Sequence, residues 1–427
     1  MWIDFVLVVV MIAAARISRR RYRDIFTPLC LYVWMWCLCL LLFRLRLINY
    51  PELNGRTEWL IGGSMVAFVG GCLAAGRLKR LSETTLEIRL DRLESAMRIL
   101  LILNVIGILL YLKRMQGIFG LSTYLTDPSE IRRNFEDWSR IGWMAVLTLL
   151  SYPLFSLSLV HYLKSKRLRL ISAIGMILPC IQSYIQTDRI SLAILLFSGS
   201  LTWVYFNRWT SVNRQMLRIM ALLSILMVSY FIGAGYLYGK LVSERMETFG
   251  AGNFDETPQF AMYVIDPYLY ATGSFPTFQE AMNDVHSLRW GERTFFPFAR
   301  LLYALDLLRD RPEGASMEVY NIPVPINTTT YLFSFYEDFG TFGVIFFPIV
   351  LGWSQTRLYL RMKKHPTLFS LSGTAGFVMT DLLSTFISLV TTINVWYFLA
   401  VVYGISRHCV LERQCSSSVA QVAVANI

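Results

Sequence analysis

MWIDFVLVVVMIAAARISRRRYR, residues 1–23, decides how the whole chain is read. An apolar run is followed by Arg16, Arg19, Arg20, Arg21 and Arg23. A secretory signal peptide carries its positive charge ahead of the apolar core; here the charge comes after it. The stretch therefore reads as a retained helix that starts outside and ends, basic, in the cytoplasm. Composition agrees. Of 427 residues, 55% are hydrophobic and only 16% charged, whereas soluble domains run nearer a quarter charged. The chain reads as an integral membrane protein, and its 11 Trp and 22 Tyr suit the two water–lipid interfaces such a protein must meet.

Working outward, apolar segments long enough to approach a bilayer crossing occur near 2–16, 26–44, 57–76, 97–113, 141–163, 168–186, 190–207, 217–238, 340–356, 368–390 and 393–406. The expected fold is an all-α polytopic bundle of about 11 transmembrane helices, one membrane domain spanning 1–427. Alternate connections carry the basic clusters: RISRRRYR, RLKR at 77–80, KSKRLR at 164–169, Arg208 with Arg214 and Arg218, and RLYLRMKK at 357–364. Cytoplasmic loops are enriched in Lys and Arg, so all five fall inside when the N-terminus is outside. The net charge of +11 is then cytoplasmic bias with attraction to anionic membrane lipids. It is not a nucleic-acid footprint, because no basic soluble domain accompanies it.

The seven cysteines mostly sit in apolar runs, without the spacing of a zinc site or a disulfide framework. Cys37 and Cys39 read as packing. The histidines are His161, His286, His365 and His408, with no paired arrangement, so neither a metal nor another cofactor is expected.

The one long connection, residues 240–339, lies on the outer side and is richer in acidic than basic residues. A loop of that length calls for structure or function. DPYLYATGSFPTFQEAMN and RTFFPFARLLYALDLL within it are aromatic-rich and amphipathic, as helices lying in the interface plane would be. The loop ends in NIPVPINTTTYLFSFYEDFGTFGV, residues 321–344, where amides, hydroxyls and an acidic pair crowd the mouth of a membrane helix. Pro323 and Pro325 are expected to stiffen an extended approach. Another outer turn, QTDRISLAILL, sets Arg189 at a helix start. That arginine reads either as a snorkelling interfacial cation or as a bidentate phosphate ligand. The acidic and basic residues of 114–140 read as a solvated face. Arginines, amides, hydroxyls and aromatic rings in an outer cavity fit a lipid-linked sugar diphosphate. Without GxxxxGK[ST] or GxGxxG in the chain, the driving force must come from an activated donor or a gradient.

Three places carry a family resemblance: Arg189 opening a helix after a short outer turn, GERTFFPFARLLYAL at 291–305, and the stretch 321–344. Together they resemble the bacterial oligosaccharide repeat-unit polymerases of the O-antigen polymerase (Wzy) type. The most specific part is an Asn-x-x-Thr-like element followed by Tyr-x-Asp-Phe-Gly, matched by Asn327, Thr330, Tyr336, Asp338, Phe339, Gly340 and Gly343. One departure is that Thr187 and Asp188, not glycine, precede Arg189, and Asp188 is placed to pair with it. The resemblance implies a fold like the lipid-phosphate-dependent (GT-C-like) membrane glycosyltransferases, in the bacterial cytoplasmic (inner) membrane. It implies transfer of a growing glycan from undecaprenyl diphosphate to a second undecaprenyl-diphosphate-linked repeat unit on the outer side, with inversion and no metal or other cofactor. A chain-length regulator protein is an implied partner.

Under that reading Arg189, Arg293 and Arg300 hold the departing diphosphate, and Asp338 orients or deprotonates the acceptor hydroxyl. Asn327, Thr330 and Tyr336 bind sugar. A second reading of Asp338 is a helix cap. Two other function classes stand beside polymerisation. One is O-antigen ligation to a lipid A core, for which His286 is the loop histidine. The other is a non-enzymatic flippase or transporter, for which Asp381, the one acidic residue deep in an apolar helix, is too little to make an ion-coupled path.

Overall fold

The computed structural model describes residues 2–78, 86–119, 144–186, 189–215, 259–304, 307–308 and 319–409, with isolated positions between 217 and 233. The chain is predominantly helical. In order come α1 (Trp2–Tyr22), α2 (Pro28–Arg44), α3 (Gly55–Ala74), α4 (Leu90–Phe119), α5 (Met144–Thr148), α6 (Ser151–Ser165), α7 (Leu170–Ile185) and α8 (Arg189–Phe206). Then follow α9 (Gln259–Thr272), α10 (Ser274–Asn283), α11 (Phe296–Ala304), β1 (Tyr320–Asn321), β2 (Pro325–Ile326), α12 (Leu332–Lys364), α13 (Leu368–Leu383) and α14 (Ile393–His408).

Local chemistry sets several of these ends. Thr27 accepts the Cys30 amide ahead of Pro28, Asn54 accepts the Thr57 amide, and Thr367 and Ser370 form a reciprocal capping box. Four helical stretches among the described residues are long and apolar enough to cross a membrane: Gly55–Ala74, Leu90–Gly117, Val146–Ser165 and Leu332–Lys364. Shorter apolar helices stand beside them. Ile99, Ile102, Ile106 and Leu109 on α4, Ile177 and Ile181 on α7, and Phe342 and Phe346 on α12 face outward, as lipid-facing residues do.

Most expected spans fall on helices. Segment 217–238 lies outside the described residues apart from isolated positions. Segment 340–356 is the middle of the much longer α12, which begins at Leu332, inside the long connection 240–339. Segment 368–390 does not run through: α13 stops at Leu383 and a short 3₁₀ turn follows at Leu389–Thr391. The reason is that residues just past the helix serve other elements. The Ser384 carbonyl accepts the Tyr331 amide at 2.9 Å, the Ser384 hydroxyl accepts from Trp36 at 2.8 Å, and the Thr385 carbonyl accepts from the Ser274 hydroxyl.

The closest packing is between α3 and α12. A Cβ on Gly71 would lie 2.1 Å from the Ile349 carbonyl, and one on Gly352 would lie 2.3 Å from the Phe68 carbonyl. Only glycine lets the two backbones approach this far. Tyr32 stacks on Phe68 with centroids 3.8 Å apart, which brings α2 against the same pair.

At one end of the bundle the basic connections meet. The Leu78 amide donates to the Arg21 carbonyl, Ile25 to Thr210, and Arg89 to Cys409; Arg169 pairs with Glu94 at 2.6 Å. Fully buried Asp24 accepts from Tyr359 and pairs with Lys363, each at 2.6 Å, joining the α1–α2 turn to the end of α12. The opposite end holds α9, α10, α11 and the start of α12. The two stretches expected to be helical in the long loop are so in the second half of α9, in α10 and in α11. But α10 buries Phe275, Phe278, Ala281 and Met282 in the bundle, so it is more a wedge than a surface helix. The prolines of 320–326 form a tight hairpin, with Tyr320 opposite Ile326 and Asn321 opposite Pro325, not an extended approach.

Candidate functional site

Helix α12 is broken near its start. Gly340 has φ 59° and ψ −147°, separating a half-helix at 332–339 from the long apolar segment at 341–364. That backbone conformation is essentially confined to glycine. Carbonyls at the end of the first half lose part of their own helix, and the loop at 289–294 meets them. The Arg289 amide donates to the Glu337 carbonyl at 3.1 Å and the Trp290 amide to the Asp338 carbonyl at 3.2 Å. In return the Asp338 carboxylate, fully buried, accepts the Arg293 amide at 3.1 Å and the Thr294 amide at 2.5 Å. The loop turns sharply there: Trp290 and Gly291 have φ of 52° and 102°. A positive φ at a residue as bulky as tryptophan is uncommon and is held by surrounding contacts.

Charge is concentrated on this joint. Glu337 bridges Arg289 and Arg293, with Nε–O distances of 2.8 Å to each. One residue earlier in α12, the Tyr336 hydroxyl accepts from Arg56 at 2.5 Å, and the guanidinium lies 5.6 Å from the Tyr336 ring centroid. Arg56 is exposed in the first turn of α3, and no carboxylate pairs with it among the described residues. Phe278 meets the Tyr336 ring edge-on. Asn54, which caps α3, donates its backbone amide to the Gln279 side chain at 2.7 Å, tying the start of α3 to α10. Next to Gln279 an open cleft of about 430 Å³ is lined by Asn49, Glu280, Asp284, Tyr320, Asn321 and Pro323.

The structure brings Arg293, Tyr336 and Asp338 together. Thr330 is buried nearby, and its hydroxyl has no partner among the described residues. Asn327 is exposed beyond the hairpin. Arg189 opens α8 and Arg300 sits within α11, but their side chains lie outside the described residues, as do Thr187 and Asp188. Most of the connection at 114–140 and residues 240–258 also lie outside them. Sequence reasoning missed Arg56, Arg289, Trp290 and Glu337. A signal existed for Arg56: an arginine two residues after a capping asparagine, at the end of a span away from the basic connections. For Glu337 the signal was its place beside Asp338. Trp290, 78% exposed beside the paired arginines, offers a flat ring at the rim.

Chemically the joint presents guanidinium groups, aromatic faces and a buried carboxylate that grips backbone. It can bind an anion together with a planar or sugar-like group. Comparison with protein-family models, curated proteins and solved structures found no match.

Proposed function

We propose that the chain is a membrane glycosyltransferase that polymerises undecaprenyl-diphosphate-linked oligosaccharide repeat units into a surface polysaccharide. The observation that carries this is Arg56: an exposed guanidinium, steadied by the hydroxyl and ring of Tyr336, at the broken start of α12 and beside two further arginines. It sits at the end of the bundle away from the basic connections, the end that the charge rule assigns to the outside. Guanidinium groups match the oxygens of a diphosphate bidentately. The acceptor hydroxyl attacks the anomeric carbon of the donor glycan. The bond to the diphosphate oxygen breaks, the lipid diphosphate leaves with the electron pair, and the hydroxyl proton passes to a base or to the leaving group. Positioning and charge stabilisation supply much of the catalysis, because the leaving group is already good.

Asp338 enters as a positioning residue. Both of its oxygens hold the 289–294 loop, which is how Arg289, Trp290 and Arg293 reach the joint. The cleft lined by Asn321 and Pro323 is suited to the acceptor sugars, with amides and carboxylates to meet hydroxyls. Arg189 and Arg300 remain candidates for the donor diphosphate. A second reading, ligation to a lipid A core, is favoured by His286, which is exposed only three residues before Arg289.

The test uses purified protein with lipid-linked repeat units, and no nucleotide sugar or added metal. A ladder of increasing glycan length is expected, lost in Arg56→Ala and partly restored in Arg56→Lys. No ladder from repeat units, with transfer when lipid A core is supplied, would replace polymerisation by ligation. No transfer to either acceptor would overturn both.

A further inference from the structure

The feature that this function does not use is a carboxyl deep in the bundle. Asp381 is 3% exposed on α13, in the interior, facing α12. Among the described residues the one hydrogen-bond partner of its carboxyl group is Gln355, whose Nε2 donates to Oδ1 at 2.9 Å. No Lys, Arg or His lies within ion-pair distance among the described residues. The groups around it from neighbouring helices, Tyr32 and Cys72 on α2 and α3, Tyr205 on α8 and Tyr331 ahead of α12, are all neutral. A bare carboxylate in such a place is costly, and buried charges are ordinarily paired or neutralised.

Two orphan atoms show how this one is neutralised. Asp381 Oδ2 and Gln355 Oε1 are both buried without a hydrogen-bond partner. They belong to the two groups already joined by the Nε2–Oδ1 bond. The amide orientation is set independently: Nε2 also lies 3.2 Å from the Phe377 carbonyl, which can only accept, and 3.3 Å from the Thr380 hydroxyl. Oε1 is therefore an acceptor, and so is Oδ2 if the acid is ionised. Two acceptors leave both unsatisfied. A single proton on Oδ2 supplies the missing donor and lets the pair close as a neutral acid–amide ring, N–H to Oδ1 and O–H to Oε1. A metal cation at Oδ2 fits less well, because an amide N–H of Gln355 already points at the same carboxyl group.

We propose that Asp381 and Gln355 form an intramembrane proton-binding site, with Asp381 protonated at neutral pH and its proton shared with Gln355 between α12 and α13. The site joins the helix that bears the broken start at Gly340 to its neighbour, without a charge in the bilayer. It is independent of the polymerase reading.

Infrared spectroscopy of the protein in lipid tests this directly. At neutral pH a carboxylic-acid C=O stretching band is expected. It should shift in deuterium oxide, shift again when the protein carries ¹³C-carboxyl aspartate, and disappear in Asp381→Asn. Gln355→Leu should move the band without removing it, since the hydrogen-bonded partner changes while the acid remains. Asp381→Asn should also keep the thermal midpoint of the unmodified protein, because asparagine is the uncharged isostere. The isotope shift in the unmodified protein does not depend on any variant folding. Absence of an acid band that responds to labelled aspartate would overturn the proposal. So would a sodium- or potassium-dependent rise in thermal midpoint that Asp381→Asn abolishes, which would make the ligand a metal cation.

Discussion

At Gly340 the backbone takes φ 59° and ψ −147°, although a Cβ would meet nothing nearer than 3.7 Å, at Leu288. Space is available; conformation is not. Gly340→Ala is therefore expected to destabilise the protein by about 1–3 kcal/mol through backbone strain alone, read as a lower thermal midpoint with faster amide exchange at 289–295. An unchanged midpoint would mean that the break is not a fixed feature. Asp338 gives a second residue-scale test. Its two oxygens satisfy two buried amides, so Asp338→Asn keeps one acceptor and turns a donor toward the other amide. Leaving that amide unpaired costs about 1–3 kcal/mol, and exchange at Arg293 and Thr294 should accelerate. If exchange there is unchanged while polymer is lost, Asp338 acts on substrate and not on the loop. Asp338 was legible in the sequence as an acid at a helix mouth. Its partners were not, because they lie 44 and 45 residues earlier in the chain.

Helix α12 shows how an element can hold together parts of the chain with different tasks. Its first half carries Tyr336, Glu337 and Asp338, its middle lies against α3 through Gly71 and Gly352, and its last turns reach Asp24 through Tyr359 and Lys363. Asp24 and Lys363 are 0% and 6% exposed at their side chains. Removing one partner of such a pair strands a buried charge at a cost of about 3–5 kcal/mol, whereas replacing both by neutral groups of similar shape is often close to neutral. Lys363→Met alone is expected to lower the thermal midpoint sharply, and Asp24→Asn with Lys363→Met to recover most of the loss. A double variant as unstable as the single one would show that the Tyr359 hydroxyl and the Phe26 amide, which donates to Asp24 at 2.8 Å, and not the ion pair, hold this end. The hydropathy of α12 was legible, but its start at Leu332 was not. The first half is rich in aromatic and polar residues, and only burial against α10 and α3 makes it helix.

At the scale of the whole molecule, the helix ends sort into two sets. One joins the basic connections through Leu78, Ile25, Arg89 and Arg169, and the other gathers Arg56, Gln279, Tyr331 and Tyr336. With the first set inside, an impermeant maleimide applied to intact cells should label Ser287→Cys and not Arg167→Cys, both in a cysteine-free background. Equal labelling of the two from outside would sink the sidedness and, with it, an extracytoplasmic site. The alternation of basic clusters in the sequence had already divided the connections this way. It could not say that α10 enters the bundle, because an amphipathic pattern is the same for a helix on a lipid surface and one wedged between helices.

The sequence by itself determined the helical class, most of the apolar segments and the side of the bundle on which arginine collects. Those follow from local hydropathy, capping residues and charge count, which need no knowledge of distant neighbours. Tertiary structure alone decided which groups meet. Arg56 and Tyr336 are 280 residues apart, Trp36 and Ser384 348, and Tyr359 and Asp24 335. Each pairing depends on which helix faces pack and on how closely glycine lets them approach. The break at Gly340 belongs to the same class, since a glycine in an apolar run is equally compatible with a straight helix until a loop arrives to take up its freed carbonyls.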